Sequence, residues 1–303
     1  MSCATGLMGG SARPLPASHK PTVIMSNNYP EGPGVYADVL LDDWFKRSFQ
    51  EQPGSERMLL LFLREVIPER NITKIHYAPQ EKTNQNPEKK SIRVDVECFD
   101  DAGRRFVVEI QRDPQAYFFD RAIFNSTFAI QRQLSRGARS YRFPPVYFIG
   151  ITRFSLHKND NRYLYRYSIK DDQTGEQMTD DLHYIFLEIP KCAGGKDRPL
   201  IEKFGHALGN LWLYKSRPQG YDEELLQLLF DSANISKFTP QEKIKYDNDM
   251  TTRRDILNQI DFAREEGAAN KILEIARAML ADGVDISLIS KYSGLTKDEI
   301  AAL

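Results

Sequence analysis

The stretch RVDVECFDDAGRRFVVEIQ, residues 93–111, contains two apolar strands and the turn that joins them. Asp100, Asp101, Ala102 and Gly103 are turn formers, and Gly103 suits the left-handed position of a three-residue hairpin loop with a bulge. If Asp101 to Gly103 form that loop, Asp100 faces Arg104. Val94 then meets Ile110, Val96 meets Val108 and Cys98 meets Phe106. One face of the hairpin becomes wholly apolar, while the other sets Asp95 across from Glu109 with Gln111 on the same side. A slip of one residue would pair Val96 with Glu109 and spoil the apolar face. Facing side chains have Cβ atoms ~4.5–5.5 Å apart, and like charges that close destabilise a sheet. Something must compensate the pair. One solution is a solvated polar face balanced by arginines such as Arg93 and Arg105. The other is a divalent cation: hard carboxylate oxygens suit Mg²⁺, which takes one or two protein carboxylates and completes its shell with water and phosphate.

Outward from the hairpin, the pattern is that of an α/β core followed by helices. Residues 1–34 are rich in Gly, Ser, Pro and Asn without periodicity, which predicts a disordered N-terminal segment in which Met25 is an alternative start. LLDDWFKRSFQ and ERMLLLFLREVIPER predict two helices, the second with an apolar stripe at Met58, Leu59, Phe62, Leu63 and Val66 and a stop at Pro68. ITKIHYAP reads as a short strand and EKTNQNPEKK as a polar loop. Beyond the hairpin, AYFFDRAIFNSTFAIQRQLSRG has helical spacing, with Ile123, Phe124, Phe128, Ile130 and Leu134 expected inward and Gly137 as the stop. PPVYFIGITRF suits a central strand. RYLYRY and LHYIFLEIP suit a hairpin with a long polar turn around Gly175. From Leu200 helical patterns take over, with TPQEKIKYDNDMTTRRDILNQIDFAREEG and AANKILEIARAMLADG as separate helices. We place the core at 35–217 and a helical C-terminal region at 218–303.

Composition narrows the class. The 303 residues carry 41 Lys and Arg against 42 Asp and Glu with 41% hydrophobic content, as expected of a globular chain. Cys3, Cys98 and Cys192 show no paired spacing, which argues against a disulfide framework and a zinc site and points to a reducing, cytoplasmic setting. No apolar run approaches the ~20 residues that span a bilayer, so no membrane partner is expected. The five histidines lack metal-ligand spacing. Net charge is −1, but between Ser91 and Lys170 twelve Arg and two Lys stand against eight Asp and Glu, a local excess of +6. A basic stripe around an acidic pair is the field expected where phosphates approach carboxylates.

The pattern D-x13-E-x-Q on a hairpin, followed by a helix with Arg and Gln, resembles the PD-(D/E)xK nuclease superfamily and in detail the Rpn family of recombination-promoting nucleases. Asp42-Asp43-Trp44-Phe45-Lys46 is similar to that family's early segment. Val94-Asp95-Val96 resembles its first catalytic strand and Val108-Glu109-Ile110-Gln111 its second. Arg121 and Gln133-Leu134-Ser135-Arg136-Gly137 with Tyr141 resemble its helix and turn, and AMLADGVDISLISKYSGLTKDEIAAL is close to its C-terminal ending. The resemblance implies a restriction-endonuclease-like α/β core, with a central mixed sheet flanked by helices. It also implies a Mg²⁺- or Mn²⁺-dependent DNA endonuclease of recombination or transposition, with defence against foreign DNA as a further setting. Asp95 and Glu109 would hold the metal, Gln111 would orient water, and Arg121 with Gln133 would contact DNA. The competing class is a catalytically inactive DNA-binding or assembly protein that keeps the fold.

Two departures stand out. Gln111 occupies the superfamily's usual lysine position, and glutamine neither gains nor loses a proton near neutrality; Val94, not proline, precedes Asp95. Glu56 is a candidate third carboxylate, more often an exposed helix charge, and Asp42 with Lys46 has the spacing of an ordinary ion pair. The ending LADGVDISLISKYSGLTKDEI resembles a helix-turn-helix in which Gly283 and Gly294 break helices. Its acids Asp282, Asp285, Asp298 and Glu299 speak against major-groove binding and favour self-association through the C-terminal helices or partner docking. Since residues before Tyr36 cannot form a core, deletion of residues 1–24 should leave melting temperature and activity nearly unchanged. A marked loss in either would mean that the segment docks.

Overall fold

The focal hairpin closes with Asp100 N donating to Arg104 O at 3.1 Å and Gly103 N donating to Asp100 O at 2.9 Å. Gly103 sits at φ +78°, where a side chain is strained, and Pro144 Cγ lies 3.1 Å from where a Cβ would stand. These details come from a computed structural model, which describes residues 34–79, 94–115, 117–134 and 140–303, with Asp42 lacking a described side chain. The segment 1–33, the polar loop at 81–90, Arg93, and Ser135, Arg136 and Gly137 lie outside the described residues.

The strands β2 (Val96–Asp100) and β3 (Arg105–Gln111) pair in the expected register, Val96 with Val108 and Cys98 with Phe106. The ladder stops one rung early. Ile110 N donates to Asp95 Oδ2 at 2.7 Å, so the carboxylate takes the donor that a rung from Val94 would have used. The expected pairing of Val94 with Ile110 is therefore replaced by a side-chain cap.

β1 (Ile75–Tyr77) adds antiparallel to β2. β4 (Val146–Thr152) runs parallel to β3, and β6 (Leu182–Glu188) runs parallel to β4. β5 (Leu164–Ser168) closes the order β1-β2-β3-β4-β6-β5 as an antiparallel edge. The result is the expected mixed sheet. VYFIGIT is buried at every residue because β4 has strands on both sides and helices on both faces.

One face carries Val108, Ile110, Ile149, Ile151 and Leu187 and packs against α2 (Ser55–Val66), α4 (Leu200–Asn210) and α5 (Glu224–Ala233). The α2 stripe predicted from its periodicity is buried in full. Before it, α1 (Asp42–Lys46) runs into a π-helical turn at Arg47–Glu51. The expected core limit at 217 falls short. Leu225, Leu226, Leu229 and Phe230 of α5 belong to the same core, and Phe238 stacks on Trp44 at 4.8 Å, so the compact unit runs to Phe238.

The opposite face packs against α3 (Phe118–Gln131), and here the inward set differs from expectation. Phe118, Ala122, Asn125, Ser126 and Ala129 are buried, whereas Ile123 and Phe124 are 53% and 40% exposed. The apolar count was a poor guide because this sheet face is partly polar: α3 turns Arg121 and Asn125 toward Glu109, and small residues let it approach. Gly150 permits that approach, since a Cβ there would stand 2.7 Å from Phe186 Cδ1 and 3.1 Å from Phe118 Cζ.

The second unit, from Thr239 to Leu303, comprises α6 (Pro240–Ala281), α7 (Ile286–Ser293) and α8 (Lys297–Ala301). Thr239 and Glu242 form a capping box, with Pro240 opening α6. The two helices expected on either side of Gly267 are one helix of 42 residues, because a single internal glycine costs only about 1 kcal/mol and does not by itself break a helix. Gly283 and Gly294 end helices as expected, and Ala276, Ile289 and Ile300 form a small core. Among the described residues no helix is long and apolar enough to cross a membrane.

Gly103→Ala should destabilise the fold by about 1–2 kcal/mol, the cost of a left-handed backbone for a residue with a Cβ. Urea unfolding at constant m-value reads this directly, and an unchanged midpoint would mean that the loop adopts another turn.

Candidate active site

The carboxylate of Glu109 is completely buried on the α3 face of β3. A buried charge needs partners. Asn125 Nδ2 donates to Glu109 Oε1 at 3.0 Å, and Arg121 Nη2 lies 2.9 Å from Glu109 Oε2. The same guanidinium donates through Nη1 to Gln111 Oε1 at 3.0 Å and to Gln115 Oε1 at 3.2 Å. Gln111 Nε2 donates to Asp113 O at 2.8 Å. Asp95, held on Ile110 N, brings the second carboxylate against the backbone between Glu109 and Gln111. Arg121 and Asn125 are four residues apart, one helical turn, and so reach the same carboxylate.

Arg121 thus brings Glu109 and Gln111 together, and Asp95 is anchored on the amide of the residue between them. Gln133 is not drawn in: its Nε2 donates to Ala129 O at 3.1 Å and closes the end of α3. Glu56 stands exposed in the first turn of α2, the helix on the other face, and no group of three acids, histidines or cysteines able to hold a metal occurs among the described residues. Lys46 pairs with Glu51 at 3.7 Å.

Arg105 does not serve the Asp95 and Glu109 pair. It and Arg132 clamp Glu97, at 3.1 and 2.6 Å. Glu97 was the missed residue. The alternation that puts Asp95 on the α3 face puts Glu97 there too, and that signal was available. The basic stripe is likewise used within the fold, because Arg104, Arg112, Arg153, Arg162 and Arg166 also pair with carboxylates. The positive excess reports acids to be neutralised more than phosphates to be bound.

A further charged knot closes the C-terminal end of β6. Glu188, fully buried, meets His157 Nδ1 at 2.5 Å and Lys191 Nζ at 2.9 Å, and His157 stacks on Tyr165 with centroids 3.7 Å apart. Burial pulls the Lys191 ammonium down, but hydrogen bonds with Tyr165 and Glu188 leave it above the ordinary lysine value. Burial, with the Glu188 charge, pushes the Tyr167 phenol up. No histidine spacing announced this group, since its members come from three separate segments.

A model of the PD-(D/E)XK nuclease family transposase matches residues 40–263. The chain belongs to this family. A second model, the C-terminal helix-turn-helix domain of the Rpn/YhgA-like nuclease family, matches residues 270–303 and covers the end of α6 with α7 and α8. No curated protein and no solved structure matches the chain. In this PD-(D/E)XK chain the glutamine has a physical reason. Arg121 donates to Gln111 Oε1, and a lysine would offer no acceptor and would set a second cation against the guanidinium.

The donor set fits a divalent metal, with two hard carboxylates and an amide oxygen on adjoining backbone. At Glu109, however, a guanidinium already supplies the positive charge.

Glu97→Ala should cost about 2 kcal/mol of stability while leaving phosphodiester cleavage per folded molecule unchanged. That cost is below the roughly 3–5 kcal/mol for a fully buried pair because Arg105 and Arg132 keep solvent contact. Loss of cleavage in a folded Glu97→Ala protein would move this acid into the site.

Proposed function

We propose that this protein is a Mg²⁺- or Mn²⁺-dependent DNA endonuclease, acting in DNA recombination or transposition and in defence against foreign DNA, in the cytoplasm. The observation that carries the reading is the hydrogen bond from Ile110 N to Asp95 Oδ2, which anchors Asp95 on the residue between Glu109 and Gln111. When bound, the metal would position the phosphodiester, acidify a water and stabilise the leaving oxygen. Asp95 and Glu109 hold it. Gln111 orients the attacking water through an amide that cannot itself take the proton. Arg121 supplies a bidentate fork that matches a phosphate. Gln133, whose Nε2 donates to Ala129 O, would contact DNA only from the end of α3.

A second reading concerns the C-terminal unit. The acids thought to oppose DNA are partly helix caps: Asp285 accepts from Ser287 N, and Glu299 completes a capping box with Thr296. On α7, Leu288 and Tyr292, four residues apart, are 45% and 69% exposed, which favours self-association over base contact. The family's helix-turn-helix would then bring copies together on DNA.

Asp95→Asn should abolish metal-dependent nicking of supercoiled plasmid with the fold intact. Gln111→Ala should lose roughly 10²-fold in single-turnover rate, as for a lost transition-state donor. Wild-type rates in both variants would remove the hairpin from the chemistry.

A further inference from the structure

Arg121 supplies the positive charge at Glu109. Its Nη2 is 2.9 Å from Glu109 Oε2 and its Nη1 is 3.0 Å from Gln111 Oε1, so one guanidinium spans the acid and the amide of the E-x-Q strand. Glu109 is fully buried, yet the Arg121 side chain keeps 35% exposure, so the guanidinium reaches solvent while its partner does not. Asn125 grips the other carboxylate oxygen from the next turn of the same helix.

We propose that Arg121 is an internal stand-in cation: it neutralises Glu109 until DNA arrives, then transfers to the phosphate and leaves Glu109 to the divalent metal. The inference rests on the nuclease reading above and adds to it a regulation of the same site. Two cations cannot share one buried carboxylate edge without repulsion, so metal binding and the Arg121 to Glu109 pair exclude each other. A phosphate is the natural second home for the fork, because its oxygens accept both guanidinium N–H groups. DNA then releases Glu109 to the metal, and by linkage metal strengthens DNA binding by the same factor. The enzyme would bind Mg²⁺ weakly alone and tightly on DNA. Gln111 fits the device where lysine would not, since it accepts from Arg121 in the resting state.

The test measures Mn²⁺ binding calorimetrically, without DNA, on the full chain. Arg121→Gln removes the competing charge and should tighten Mn²⁺ at least 10-fold over wild type. Its apo melting temperature should fall, because Glu109 is left buried without its cation, and Mn²⁺ should restore it. Arg121→Lys, a point charge that cannot span Glu109 and Gln111 together, should bind Mn²⁺ with intermediate affinity and serves if the glutamine variant does not fold. Asn125→Ala, which keeps Arg121, should not gain affinity. If the Arg121 variants bind Mn²⁺ no more tightly than wild type, the stand-in role is overturned. Glu109→Gln separates the two ideas. If this variant binds Mn²⁺ as wild type does, the metal site itself is misplaced and the nuclease reading fails with it. If Mn²⁺ is lost there while the Arg121 variants are unchanged, only the exchange is wrong.

Discussion

A carboxylate with no exposure, on the partly polar face of a sheet, is the constraint around which this fold is arranged. Removing one such charge from water costs several kcal/mol after relaxation, so Glu109 requires a cation and further donors in place. Arg121 and Asn125 meet that requirement, and both come from α3. The helix must therefore lie close over β3 and β4, with its polar side down. Gly150 makes the approach possible, and the exposed Ile123 and Phe124 follow from the rotation it imposes.

Asp95 shows the same economy in backbone. The strand that should have continued to Val94 gives up its last rung, and the carboxylate takes the Ile110 amide instead. Asp95 is half-buried and is held at the end of the ladder by the Ile110 amide. The rigid element is β3, paired on both sides; the hairpin turn locked by Gly103 sets which residues share its face.

Much of this was legible in the sequence. The loop chemistry at Asp100 to Gly103 determines the register, and the register alone groups Asp95, Glu109 and Gln111. The apolar run of β4 and the long turn around Gly175 place the rest of the sheet. What could not be read was the rotation of α3, because its apolar residues outnumber the polar ones that decide its orientation. The partners of the arginines were hidden for a related reason. Pairing between Arg132 and Glu97, or between Arg153 and Asp38, joins positions distant in the chain, and charge counting along a segment cannot distinguish an arginine that waits for phosphate from one already bound to an acid.

The sheet's margins carry a consequence for how copies of this protein can meet. β1 has three residues, and β5, the other edge, has five, with Arg166 reaching from it to Val66 O and Glu69 at the end of α2. Short edges and an inserted charged side chain are devices that deny a second chain a template of open backbone groups. Among the described residues, both edges of this sheet are poor templates for strand addition, the route to fibrils and swapped dimers. Any contact between copies made elsewhere would be decided by side chains and not by main-chain amides.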